Sequence, residues 1–314
     1  MRNNHVVAVV GPTASGKTAL AVELALRLNG EIISADSMQI YKHMDIATAK
    51  PTPDEMKGVP HHLLDFLDPS ESFSVARFCE LAHPIIADIR GRGKLPIVAG
   101  GTGLYIDSLL GNTAFTEIEA DPELREALQR ELDEKGVDAM LEQIRAFDPK
   151  SAERLSVGRN PKRILRCIEV YRTAGKTQTE LNALQTAAES PYTVTKIGLT
   201  AADREVLYER INRRVDVMLA DGLLDEARAF YSAASGQTAC AAIGYKELLP
   251  YLNGELTLEE CVENLKRATR RYAKRQLTWF RRDPLIHWFE IDRLSFEDIL
   301  TSALNIINKD CSYD

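Results

Sequence analysis

A glycine loop near the amino terminus constrains this chain more than any other feature. Residues Gly11, Pro12, Thr13, Ala14, Ser15, Gly16, Lys17 and Thr18 match the spacing G-x4-G-K-[S/T]. They follow an apolar, β-branched run from His5 to Val10, which reads as a strand buried on both faces of a parallel sheet. They precede Leu20, Ala21, Leu24, Ala25 and Leu28 at helical spacing, closed by Asn29-Gly30. In that setting small residues let successive backbone N–H groups turn inward around a phosphate at a helix N-terminus, whose partial positive charge favours anions. Lys17 adds a point charge and Thr18 a hydroxyl suited to Mg²⁺. The pattern is that of nucleotide-binding, typically ATP-binding, loops, yet a diphosphate ester would satisfy the same donors.

The rest of the chain extends this α/β reading. Glu31–Ala35 is a second strand with Asp36 just past its end, Val75–Arg92 is helical, and Leu95–Ala99 is a third strand broken by Gly100-Gly101-Thr102-Gly103. Strand-like runs vanish from about Thr116 to Pro191, where an acidic amphipathic stretch gives way to a basic one. They return at Tyr192–Leu199, followed by helix from Asp203 to Leu219 with a stop at Gly222, and by a last strand at Ile286–Ile291. The expected architecture is a P-loop NTPase-like parallel sheet flanked by helices, with an inserted all-helical domain. Its catalytic core comprises residues 1–115 and 192–314 and its insert residues 116–191. At 314 residues, with 45% hydrophobic and 27% charged residues, the chain has room for about two domains and is neither disordered nor fibrous. No apolar run approaches the ~18 residues of a membrane span, so a cytoplasmic protein is expected. Cys79, Cys167, Cys240, Cys261 and Cys311 are widely spaced without a CxxC pair and read as inert thiols.

Asp36 lies where open α/β sheets bind ligands, at the carboxyl edge of a strand. On position alone it is a metal ligand, a general base or a turn residue. A P-loop kinase would carry a Mg²⁺-binding acid at the end of another apolar strand, but Leu95–Ala99 ends in glycines. Thr102 either faces the same crevice or sits in a plain turn. His61-His62 reads as a loop pair without metal, since no third ligand stands at a suitable spacing.

The net charge of −7 hides a strong pattern. Lys266, Arg267, Arg270, Arg271, Lys274, Arg275, Arg281 and Arg282 occur without an acid among them, and on a helix the first six share one broad face. Like charges at that spacing repel, and phosphates would neutralise them. Arg159, Lys162, Arg163, Arg166, Arg172 and Lys176 form a second cluster, and Arg210, Arg213 and Arg214 a third. The bland reading of the third pairs it with Glu205, Glu209 and Asp216 on the surface. Tyr272, Trp279 and Phe280, interleaved in the first stripe, read as core anchors.

Taken in order, GPTASGKT, EIISADSMQIYKHMDIATAKP, GVPHHLLD, GKLPIVAGGTGLY, NPKRILRCIEVYRTAGKT, LYERINRRVDVML, AIGYKELLPYL and RRYAKRQLTWFRR closely resemble the bacterial tRNA dimethylallyltransferases, from about Val6 to Trp288. The resemblance implies transfer of a dimethylallyl group from dimethylallyl diphosphate to N6 of the adenosine 3′-adjacent to the tRNA anticodon. It places the donor diphosphate, with Mg²⁺ on Thr18, on the glycine loop, and implies no ATP hydrolysis. It makes Asp36 the general base supported by Thr102, and gives Arg214, with Arg210, the leaving diphosphate. By the same resemblance the tRNA anticodon stem-loop meets Asp36, Ser37, Met38 and Gln39, then Lys162, Arg163 and Arg166, then Ala242, Ile243, Gly244, Tyr245 and Lys246, and on the last basic stripe Arg271 and Arg275. A monomer without an obligate protein partner is expected. The chain departs from the family where Arg166-Cys-Ile-Glu169 replaces the frequent Arg-Ala-Leu-Glu, and where Pro161-Lys162 replaces an Arg pair. The alternatives are a P-loop kinase of a small metabolite, an enzyme prenylating free adenine nucleotides, and a non-catalytic RNA-binding module.

Overall fold

The computed structural model describes residues 4–111, 121–185, 190–233, 237–240 and 242–312. In chain order its elements are β1 (His5–Val10), α1 (Lys17–Leu28), β2 (Gly30–Ser34), α2 (Pro53–Met56), β3 (His61–His62), α3 (Val75–Gly91), β4 (Leu95–Gly100) and α4 (Gly103–Leu110). Four helices follow: α5 (Pro122–Phe147), α6 (Pro149–Gly158), α7 (Pro161–Ala174) and α8 (Gln178–Gln185). The chain continues through β5 (Thr193–Thr200), α9 (Arg204–Ala220), α10 (Leu223–Ser232), α11 (Gln237–Cys240), α12 (Tyr245–Leu252), α13 (Leu258–Phe280), β6 (Ile286–Glu290) and α14 (Phe296–Ser312). It separates into two compact units, residues 1–110 with 190–314, and residues 111–189. The sequence boundary at 116 lies outside the described residues.

The first unit holds a six-stranded parallel sheet in the order β3-β2-β4-β1-β5-β6. β1 is buried along its whole length because both of its faces are covered. Val7 and Val9 join Ile32, Ile97, Ile197 and Leu199 in an apolar layer closed by Leu20 and Leu24 of α1 and Ile299, Leu300 and Ile307 of α14. Val6, Ala8 and Val10 point to the opposite face by the two-residue period of a strand and are equally buried. The His61-His62 pair corrects the sequence reading: it is not a loop but a two-residue edge strand, β3, pairing with Ile32 and Ile33. A strand that short has no periodicity to betray it. Beneath the sheet Glu31, 3% exposed, accepts from Arg92, Lys94 and the His62 ring, and these partners hold its carboxyl well below the usual range.

A separate apolar cluster lies beside the carboxyl edge. Ile40, Tyr41 and Met44 pack there with Val215 of α9, Leu223 and Phe230 of α10, Leu248 of α12 and Leu265 of α13. Helix starts are conventional: Ser74, Asp203 and Thr257 accept first-turn N–H groups of α3, α9 and α13, each worth about 1 kcal/mol.

The second unit is helical throughout its described residues, around Leu128, Met140, Leu141, Ile144, Ala152, Ile164 and Ile168. Gly136, at φ 78°, interrupts α5. The buried Glu169 carboxylate accepts from Arg125 at 2.7 Å and from Arg166 at 2.8 Å. Cys79, Cys167 and Cys261 are buried, and none of the five cysteines forms a disulfide.

Candidate active site

The glycine loop leaves β1 at the middle of the sheet. Gly11 adopts φ +146°, where a Cβ would stand 2.6 Å from the Leu199 carbonyl, so backbone packing itself demands glycine. Gly16 is left-handed at φ 92° and caps α1 without a side chain, so the first-turn N–H groups face the loop as anion donors. Lys17 Nζ donates to the Pro12 carbonyl at 3.1 Å. From α9, Arg210 Nε donates to the Ala14 carbonyl at 2.8 Å and Arg214 Nη1 to Thr13 Oγ1 at 3.4 Å. The bland pairing of this arginine set is thereby corrected: Arg210 and Arg214 serve the loop, and Asp216 pairs with Lys266 instead, at 2.7 Å.

Burial pulls the Lys17 ammonium down to about 8, with the neighbouring Arg214 adding to the shift and Asp36 opposing it. The Arg214 guanidinium is also lowered by burial and raised by Asp36. Two cations and one carboxylate thus share one partly dry site, and an incoming polyanion would restore the balance of charge.

Asp36 stands two residues past the end of β2. Its Oδ1 accepts the Met38 N–H at 3.0 Å, which fixes the carboxylate against its own turn. Thr102 grips the same segment twice: its hydroxyl accepts the Ser37 N–H at 3.1 Å and its backbone N–H donates to the Ala35 carbonyl at 3.2 Å. Through these two contacts the loop after β4 holds the residues around Asp36, while Thr102 itself is not among the residues that line the cavity.

These elements enclose a cavity of about 280 Å³, near the lower bound of about 300 Å³ for ligand clefts. Thr13, Lys17, Thr18, Asp36 and Arg214 line it, as do Ser37, Met38 and Gln39. Ala242, Ile243, Gly244 and Lys246 line it from the segment entering α12, and Tyr272, Arg275 and Gln276 from α13. His61 also lines it, with Nδ1 2.8 Å from the Val59 carbonyl and its pKa lowered by burial.

Some candidates fall elsewhere. Tyr245 is a correction: fully buried, it stacks on Phe230 at 4.3 Å and donates to Glu226 at 2.8 Å, so its side chain is a core anchor and not a contact for a large acceptor. The Gln39 amide is engaged by its own loop, donating to the Thr48 and Ala49 carbonyls at 3.1 and 3.0 Å. Lys162 and Arg163 are exposed at the start of α7, in the second unit. The unmixed face of α13 is divided: Lys266 pairs with Asp216 and Arg270 donates to Asn212 at 2.6 Å, while Arg267, Arg271, Lys274 and Arg275 are exposed. Of its aromatic residues, Phe280 is buried, whereas Trp279 is partly exposed and donates to Asp107 at 2.7 Å.

Two residues that sequence reasoning missed complete the surroundings. Glu226 accepts the consecutive N–H groups of Asp45, Ile46 and Ala47 at 2.8–2.9 Å and so anchors the loop that supplies Ala47, Thr48 and Ala49 to the cavity. Gln276 accepts the Thr13 N–H and donates to the Gly101 carbonyl, each at 2.9 Å. Both act across long sequence separations, and neither lies in a local pattern that announces it.

The IPP transferase family model matches residues 39–283, and the isopentenyl transferase model matches residues 4–68. A tRNA dimethylallyltransferase of Halalkalibacterium halodurans is 48% identical over 302 residues, 96% of each chain. That of Acetivibrio thermocellus is 49% identical over 304 residues, again 96% of each. Among solved structures, the full-length tRNA isopentenylpyrophosphate transferase of Bacillus halodurans superposes with a TM-score of 0.73 at 45% identity, covering 99% of both chains. A eukaryotic dimethylallyltransferase acting on tRNA superposes with a TM-score of 0.80 at 31% identity, covering 96% of this chain and 78% of that one. With a glycine loop, a strand-end aspartate and a parallel sheet arranged as described, and with this extent of likeness, the chain belongs to the IPP transferase family.

Proposed function

We propose that the protein is a tRNA dimethylallyltransferase, moving a dimethylallyl group from dimethylallyl diphosphate to N6 of the adenosine 3′-adjacent to the anticodon. The observation that carries this reading is the single cavity lining shared by the glycine loop, Lys17, Arg214 and Asp36. It brings diphosphate-binding groups and one carboxylate to the same space. β4 ends in Gly100 and is followed by Gly101, not by the acid a P-loop kinase would place there.

In the reaction the C1–O bond of the donor breaks, the diphosphate leaves with the electron pair, and N6 forms its bond to C1. Positive charge builds on the prenyl carbon and negative charge on the leaving group. The loop N–H groups, Lys17, Arg214 and Arg210 stabilise the latter. An exocyclic adenine amine is a poor nucleophile that must lose a proton on alkylation, and Asp36 accepts it. Thr102 holds the Asp36 segment in place through Ser37 and Ala35. Mg²⁺ fits the chemistry of the donor set: Thr18, which carries a hydroxyl, lines the cavity, and a hard cation that keeps several waters would be completed by substrate phosphate oxygens. Bound there, it would supply further neutralisation of the diphosphate charge.

A macromolecular acceptor is supported by the exposed cationic groups that two separate helices carry. Arg271 and Arg275 on α13 suit phosphate backbone, and Lys162, Arg163 and Arg166 on α7 form a second such set. α7 carries no acid in its first turn, so Lys162 and Arg163 add positive charge to a helix start already positive. The adenine leaves the anticodon-loop stack to reach Asp36. Ser37, Met38, Gln39, Ala242, Ile243, Gly244 and Lys246 line the space it enters. The enzyme works as a monomer in the cytoplasm on this reading.

Incubation with Mg²⁺, dimethylallyl diphosphate and either unmodified tRNA or AMP, followed by mass spectrometry of digested nucleosides, tests the proposal. A dimethylallyl increment on tRNA adenosine alone is the expected result. An increment on AMP would remove the macromolecular acceptor, and none on either would remove the activity.

A further inference from the structure

Gln276 is 5% exposed, and its amide is used at both ends. Its Oε1 accepts the N–H of Thr13 and its Nε2 donates to the carbonyl of Gly101, each at 2.9 Å. At neutral pH, where a glutamate would be ionised and accept only, an amide side chain offers a donor and an acceptor side by side at this reach. The opposite orientation would set N–H against N–H and carbonyl against carbonyl, so the two partners fix the amide in one sense.

The two partners belong to the two halves of the reaction. Thr13 lies in the diphosphate loop, where its hydroxyl meets Arg214. Gly101 precedes Thr102, which holds Ser37 and Ala35 on either side of Asp36. A Cβ on Gly101 would overlap the Gln276 amide, so the glycine is required by this approach. One turn further along α13, Trp279 packs against Gly103 so closely that a Cβ there would also overlap, and its indole N–H reaches Asp107. Thr102 is thus flanked on both sides by residues gripped by α13.

We propose that Gln276 is a positioning residue that sets the span between the donor's diphosphate loop and the Asp36–Thr102 pair, and so aligns the allylic carbon with the attacking amine. The proposal rests on the prenyl-transfer reading above. Gln276 does not itself handle a proton or a leaving group. Its effect is on alignment, and a misplacement of about 1 Å between reacting groups costs on the order of 10²-fold in rate.

The test compares wild type, Gln276→Met and Gln276→Glu in steady-state prenylation of unmodified tRNA, with thermal unfolding as a check on folding. Met fills the same space without either hydrogen bond. Its kcat is expected to fall about 10²-fold, while the KM for dimethylallyl diphosphate moves less than about threefold. Misalignment also lets water compete: the C1–O bond breaks, the water oxygen bonds to C1, its proton passes to solvent, and dimethylallyl alcohol and diphosphate result. The ratio of alcohol to prenylated tRNA should rise in Gln276→Met, whereas a simple loss of folded enzyme would lower both products together. In Gln276→Glu the carboxylate can accept from Thr13 but cannot donate to Gly101, and the protonated acid can do both. Its kcat relative to wild type should therefore rise as pH falls from 8 to about 5.5. Wild-type kcat and partition in a folded Gln276→Met would overturn the proposal. So would a flat pH ratio for Gln276→Glu, which carries the test should Gln276→Met fail to fold. Absence of prenyl transfer by wild type would instead refute the underlying function.

Discussion

The sharpest consequence of the site's electrostatics concerns pH. Burial brings Lys17 down to about 8, so its charge is lost within an experimentally mild range. At that value the free enzyme is about nine-tenths protonated at pH 7 and about one-tenth at pH 9. If the ammonium is needed to take up the diphosphate, kcat/KM for dimethylallyl diphosphate falls about tenfold between those pH values, because kcat/KM reports ionisations of the free enzyme. The donor's last ionisation, near 6 for a phosphate monoester, is complete by then and does not create this limb. Bound diphosphate is an opposite charge that favours protonated Lys17, so kcat at saturating donor should stay flat over the same range. Lys17→Arg keeps its charge throughout, and its kcat/KM profile should lose the limb whatever its absolute value. Initial rates of radiolabelled prenyl transfer to tRNA at fixed Mg²⁺ and ionic strength measure all three profiles. A flat wild-type kcat/KM up to pH 9, or an identical limb in Lys17→Arg, would refute the assignment of Lys17 to donor binding.

Two further outcomes follow from the same contacts. Thr102→Val removes the acceptor of the Ser37 N–H and should cost about 1–3 kcal/mol of alignment, seen as a kcat loss of about 5- to 150-fold at little-changed donor KM; a loss only in donor KM would contradict it. Glu31→Gln removes a buried carboxylate whose folded pKa lies below its unfolded value, so the stability it contributes is complete above about pH 4.3 and fades as pH falls below that. The variant should unfold at lower temperature than wild type at pH 7, with the gap narrowing in acid, and a gap that widens in acid would show the sign to be wrong.

How far the chain could be read from its residues depended on how local each interaction was. The glycine loop was legible because its backbone conformation is set by consecutive residues, with Gly11 and Gly16 at positive φ, and Asp36 because a strand end has a fixed place in a parallel sheet. Thr102 was ambiguous since its hydroxyl acts 65 residues away, on Ser37. Gln276 and Glu226 were invisible, for they bond to segments 175–263 and 179–181 residues distant. Tyr245 was misplaced because a motif that lines a cavity with Gly244 and Lys246 also sends its largest side chain into the core. The basic stripe was overread in part: Lys266 and Arg270 turn toward α9, where Asp216 and Asn212 meet them, and counting signs along one helix cannot see its neighbour.

Single-turnover transfer by donor-loaded Asp36→Asn separates the work of Asp36 from that of the diphosphate loop. The transfer rate is expected to fall by about 10²–10⁴, the usual worth of a general base, with affinity for dimethylallyl diphosphate unchanged within about threefold. An unaltered transfer rate would refute Asp36 as the base, as would a large loss of donor affinity, which would make Asp36 part of the diphosphate site instead.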